Sequence, residues 1–138
     1  MDASVLFAAS YSSSGASREI TRLAFRDQVR LVISEDVVEE AERNLAAKQP
    51  EALEVLRTIL NSVPFQTVTP TIEEVQQAAV YTASKDAPIV AAAKKAEADR
   101  LVSLDRRHLV GVPEVAEGSG LKIILPQTLL KTIREEGK

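Results

Sequence analysis

Three aspartates stand where apolar runs stop or helical runs begin, and a glutamate joins them from within a helical run. Asp2 precedes SVLFAA, Asp86 precedes APIVAAA, Asp105 follows LVSL, and Glu40 lies within VVEEAERNL. Ligands of open α/β sheets bind outside the carboxyl ends of the strands. Acids gathered there suit a divalent cation, because hard cations take carboxylate and water oxygens. Such an ion supports hydrolysis by orienting a water and stabilising charge on a phosphate. The chain has no cysteine and one histidine, His108, so a metal must be held by oxygens or by that imidazole. Taken singly, each aspartate also fits a helix cap or turn former, and a Glu on a helix face is ordinary. The metal reading rests on the four acting together.

Elements must bring these acids together across about a hundred positions. At 138 residues the chain is close to the commonest domain size, which predicts a single domain over 1–138 with a real core. Aromatic residues make up only 4% and Ala, Val, Leu and Ile dominate, which suits helices packed on a sheet of branched residues. No apolar run approaches the roughly twenty residues of a membrane span, and no basic-then-apolar leader is visible, so a cytoplasmic location is expected. The net charge of −3 lacks the basic surplus of generic nucleic-acid binders. Local clusters remain: Arg18, Arg22, Lys85, Lys94, Lys95, Arg106 and Arg107 lie near the acids in sequence, as a basic rim or as solvated helix faces.

Periodicity places a helix at about Ala3–Ala9 and a second from Ser17, with the Ser-rich stretch 11–15 between them. Leu31–Ile33 reads as a buried strand. Ser34 caps a helix whose first turn carries Glu35 and Asp36 and whose inner face carries Val37, Ala41 and Leu45. Pro50 fits the first turn of the next helix. Phe65–Val68 alternates like a strand, and Thr71 with Glu74 has the spacing of a capping box. Asp86-Ala87-Pro88 opens another helix, LVSL is a strand, Gly118 and Gly120 mark a loop, LKIIL is a last strand, and Pro126 opens a terminal helix. This alternation predicts a three-layer α/β/α domain around a parallel sheet.

The strings DASVLFAASYSSSGASREI, RLVISEDVVEEAERNL, KDAPIVAAAKKAEADRLVSLDRRHL and LKIILPQTLL, in this order, resemble successive blocks of PIN-domain proteins, of the toxin–antitoxin nuclease group. The resemblance covers essentially the whole chain. It implies a PIN-like fold and a Mg²⁺- or Mn²⁺-dependent nuclease acting mostly on RNA. The family acids fall on Asp2, Glu40, Asp86 and Asp105, with Asp2, Asp86 and Asp105 as metal ligands; spacing to Leu45 favours Glu40 over Glu39. Ser4 matches the small polar residue two places after the first aspartate. Arg106, Arg107 and His108 are candidate substrate contacts, and guanidinium suits phosphate well. His108 stands where many relatives have a further acid, so it can meet phosphate when protonated or the metal when neutral. A toxin of this group implies an antitoxin protein, and homodimers are common in it.

Family members carry an apolar strand before the first aspartate, and here only Met1 precedes Asp2. The first central strand is therefore expected to be missing or truncated, through a start downstream of the native one or a shortened chain of impaired activity. The rival class is a PIN-like module that binds RNA or protein without cutting. A phospho-acceptor site is disfavoured because Arg107 and Pro126 stand where such a site places its second acid and its lysine. No GxGxxG or phosphate loop supports nucleotide binding.

Overall fold

A computed structural model describes residues 1–136. Helices α1 (Ala3–Tyr11), α2 (Ala16–Phe25), α3 (Glu35–Lys48), α4 (Leu53–Ser62), α5 (Ile72–Ala78), α6 (Ala87–Lys95), α7 (Pro113–Ser119) and α8 (Pro126–Glu136) alternate with short strands β1 (Val32–Ile33), β2 (Gln66–Thr67), β3 (Arg100–Val102) and β4 (Lys122–Ile124). The class is α/β. The strands pair in parallel as two separate ladders, β1 with β2 and β3 with β4, where one continuous sheet was expected.

Between the ladders run Met1 and Asp2. The Met1 ammonium donates to the Val32 carbonyl at 2.9 Å, and the Asp2 amide donates to the Val102 carbonyl at 3.1 Å. Met1 thus bonds to one ladder and Asp2 to the other, but two residues are too few to form a strand. Burial pulls the Met1 ammonium down to about 6, against the nearby Asp2 charge, which raises it. A cavity of about 600 Å³ adjoins Met1 between the ladders, lined by Leu31, Leu101, Ile89 and Ala92 among others. The acids converge elsewhere.

Local rules account for most helix starts. The Ser34 hydroxyl accepts from the Val37 amide at 3.3 Å, and Glu35 and Asp36 occupy the first turn of α3. Pro50 opens a short 3₁₀ turn, Pro50–Ala52, that leads into α4. At α5 the Thr71 hydroxyl accepts from the Glu74 amide (3.1 Å) while the Glu74 carboxylate accepts from the Thr71 amide (2.8 Å), a complete capping box. The Thr71 backbone bond, followed by Lys95, holds the Glu74 carboxyl below its usual value. Replacing Thr71 by Ala removes one of these bonds and is expected to cost about 1 kcal/mol in urea unfolding; no change would mean the box is not formed.

The expected loop at Gly118 and Gly120 is instead α7 and its end. Gly118 is helical because a Cβ there would lie 2.3 Å from the Tyr81 ring, so only glycine admits that packing. Gly120 terminates α7 with φ +73°, a left-handed cap that glycine adopts without strain.

The core joins Leu6 and Val5 of α1, Ile20 of α2, Leu45 of α3, Leu56 of α4, Val90 of α6 and Leu101 of β3. Helix α1 packs against α2, α3 and α4, and α5 packs against α6. Among the described residues no helix is long and apolar enough to cross a membrane.

Candidate metal centre

Three short segments carry the acids: the start of α1, the start of α6, and the turn after β3. Asp2 is buried, and both its oxygens are engaged. Oδ1 accepts from the Ser4 hydroxyl at 2.5 Å and from the Val5 amide at 3.3 Å, capping α1, and Oδ2 accepts from the Ser103 hydroxyl. The same hydroxyls accept in turn from the strand-end backbone, Ser103 from the Asp105 amide (2.9 Å) and Ser4 from the Leu104 amide (3.1 Å). Asp2 therefore fixes the position of Asp105 through two serines.

Asp105 shapes a turn. Its Oδ1 accepts from the amides of Arg107 (3.0 Å) and His108 (2.9 Å), while its Oδ2 lies 3.3 Å from His108 Nδ1 and 3.6 Å from Lys85 Nζ. Asp86 opens α6 without a capping bond, and its Oδ2 is buried with no hydrogen-bond partner. An orphaned carboxylate oxygen normally costs stability unless something satisfies it. Ligand atoms of Asp86, Asp105 and His108 all lie within 4.8 Å of one another. A buried lone oxygen, a second carboxylate and an imidazole suit a divalent ion.

Electrostatics separate the two half-buried acids, Asp86 and Asp105. Burial pushes the Asp86 carboxyl up, with Asp105 and Asp2 adding to the rise and Lys85 and His108 opposing it. Burial also raises Asp105, but the bonds from His108, the Lys85 charge and the Arg107 amide outweigh it, and the net shift is downward. The desolvated Asp86 charge, with smaller repulsion from Asp105 and Asp2, carries a cost that a cation relieves.

Because Asp86 is raised above its unfolded value of 3.8, the native state holds its proton longer, and stability falls as pH rises from 3.8 through the native value. Above that window Asp86→Asn removes the burden. In metal-free buffer at pH 7 the variant is expected to melt about 2 °C higher, after discounting for solvent screening at this half-exposed site. A lower melting temperature would contradict the burial account.

A cleft of about 500 Å³ contains Asp2, Ser4, Glu40, Asp86 and Asp105, so the four acids read from the sequence face one space. Glu40 stands on the α3 wall with Asp36, Glu39, Arg43 and Asn44 and is not part of the three-ligand group. Asp2 is not in that group either, its oxygens being committed to the serines and the helix cap. Among the described residues Arg106 shows no side-chain bond, and Arg107 contributes its backbone amide alone.

The basic rim reduces mainly to Lys85. Arg18 donates to the carbonyls of Ala9 and Ser10 and closes the end of α1, while Arg22 donates to that of Ser13 in the turn that follows. Lys94 lies over the Tyr81 ring, and Lys95 pairs with Glu74. Sequence reasoning missed Ser103, Arg43 and Asn44. A polar residue inside the otherwise apolar run LVSL was the one signal for Ser103.

This arrangement is an acidic cleft lined by Asp86 and Asp105, with His108 close beside them, a carboxylate–imidazole group that could hold a metal ion. A PIN-domain family model matches residues 1–107, and the chain belongs to the PIN-domain family. PIN domains are generally metal-dependent nucleases acting on nucleic acids. Neither a curated protein nor a solved structure gives a significant match.

Proposed function

We propose that this chain is an endoribonuclease that hydrolyses RNA phosphodiester bonds with Mg²⁺ or Mn²⁺ in the acidic cleft, and that it serves as the toxin of a toxin–antitoxin pair. The observation that carries the reading is the convergence of Asp86, Asp105 and His108 within 4.8 Å beside an Asp86 oxygen with no partner. Asp86 and Asp105 hold the ion directly. Asp2 orients Asp105 through Ser103 and Ser4 and would be a further, second-rank candidate to hold the ion. When bound there, a divalent ion would supply positive charge for the phosphate and ease removal of a proton from water. Glu40, facing the cleft from α3, accepts that proton. Lys85, 63% exposed at the mouth, and Arg43 on the opposite wall draw in the phosphate backbone. Arg106 and Arg107 extend that basic contact along the strand of RNA.

Met1–Asp2 and the two ladders form one interrupted parallel sheet of a three-layer α/β/α domain. The bonds to Val32 and Val102 support this reading. An antitoxin protein covers the cleft by placing a basic side chain against the acids, and a homodimer is the working unit.

Incubation of structured and single-stranded RNA with Mn²⁺ or Mg²⁺, beside the Asp86→Asn variant, tests the activity. Metal-dependent cleavage by the parent alone supports it. Equal cleavage by both exposes a contaminant, and RNA retention without cleavage favours a binding module.

A further inference from the structure

His108 is the only histidine, and its imidazole is held in place at two points. Its backbone amide bonds Asp105 Oδ1 at 2.9 Å, which folds the turn back, and its Nδ1 then lies 3.3 Å from Asp105 Oδ2. Neighbouring ligand atoms on one ion with bonds of about 2.1 Å are about 3 Å apart, and opposite ones about 4.2 Å. The spread of the Asp86, Asp105 and His108 atoms, all within 4.8 Å, thus spans one coordination sphere after small side-chain rotations. The Asp86 oxygen without a partner supplies the third corner.

We propose that His108 is a nitrogen ligand of this centre, making it a two-carboxylate, one-imidazole site that selects Mn²⁺ and later divalent transition ions over Mg²⁺. The inference rests on the metal-dependent reading above and adds the class of ion to it. Mg²⁺ favours an all-oxygen octahedron and retains its waters, whereas imidazole suits Mn²⁺ less than Co²⁺ or Zn²⁺ but better than it suits Mg²⁺. Affinity should therefore rise along Mg²⁺, Mn²⁺, Co²⁺. The nitrogen adds no charge, so the gain comes from ligand softness, and the nearby Lys85 ammonium weighs on every divalent ion alike. Three residues on from Asp105, His108 also completes a chelate within one turn, which lowers the ordering entropy of binding.

The test uses the full chain and the metals alone. Calorimetric titration is expected to give one Mn²⁺ site at least about tenfold tighter than Mg²⁺, and His108→Gln is expected to weaken Mn²⁺ about tenfold or more while changing Mg²⁺ less. Electron spin-echo spectra of the Mn²⁺ form should show nitrogen coupling that changes isotope when only histidine is ¹⁵N-labelled and that vanishes in His108→Gln. The single histidine makes that assignment unambiguous. Mn²⁺ bound without histidine coupling, or equal weakening of both ions by His108→Gln, overturns the inference and leaves the metal reading standing. Binding of neither ion overturns both. Circular dichroism of the variant confirms that it folds.

Discussion

Asp86→Asn is expected to lower metal-dependent RNA cleavage by about a thousandfold and to erase the rise in melting temperature that millimolar Mn²⁺ gives the parent. Asp86 is the one acid of the centre with a buried oxygen that no protein group satisfies, so its charge has no structural partner to serve. Asparagine keeps the shape and removes the charge. Loss of about 4 kcal/mol of transition-state stabilisation corresponds to the thousandfold effect, the size seen when one preorganised electrostatic contact is removed. On the equilibrium side, an ion present at a hundred times its dissociation constant stabilises the native state by about 2.7 kcal/mol. For a chain of this size that is a melting shift of about 8 °C. The two readouts are coupled because the same carboxylate serves both. A variant that cleaves at the parent rate, or that still gains the full shift with Mn²⁺, would remove Asp86 from the centre.

Local chemistry was legible in the sequence and distant pairing was not. Ser34 and the Thr71–Glu74 box act within three residues, so type and spacing suffice to read them. The three aspartates were found because each marks the boundary of an element, Glu40 came from the family resemblance, and all four face one cleft. Their separate duties were hidden. That Asp2 is wired to Ser103 depends on a contact across 101 positions, which no local pattern encodes. Arg18 and Arg22 looked like part of a basic rim, yet the turn at residues 12–15 folds α2 back so that Arg18 meets the carbonyls ending α1 and Arg22 that of Ser13 in the turn. Gly118 read as a loop because glycine usually marks one, while here the Tyr81 ring requires it inside a helix. Strands of two or three residues carry too little alternation to fix how the ladders are joined.

Leu45→Ala should have the largest effect on stability, because α3 is the wall that carries Glu40 and Leu45 is its fully buried anchor. Glu40 and Leu45 lie five residues apart, so removing the leucine loosens the wall without touching the cleft directly. Deleting a buried leucine side chain costs about 3–5 kcal/mol, the spread depending on how far the site collapses. The melting temperature is then expected to fall by about 10 °C or more. Metal binds only the folded form, so saturating Mn²⁺ should return about 2.7 kcal/mol at a hundredfold excess over its dissociation constant, if the acids keep their geometry. Glu40→Gln provides the contrast, with the cleavage rate falling and the melting curve scarcely moving, since Glu40 is exposed and makes no bond that holds the fold. A Leu45→Ala protein that melts within about 2 °C of the parent would refute the packing of α3 against α1. A Glu40→Gln protein of unaltered rate would take Glu40 out of the chemistry, leaving proton removal to another group in the cleft.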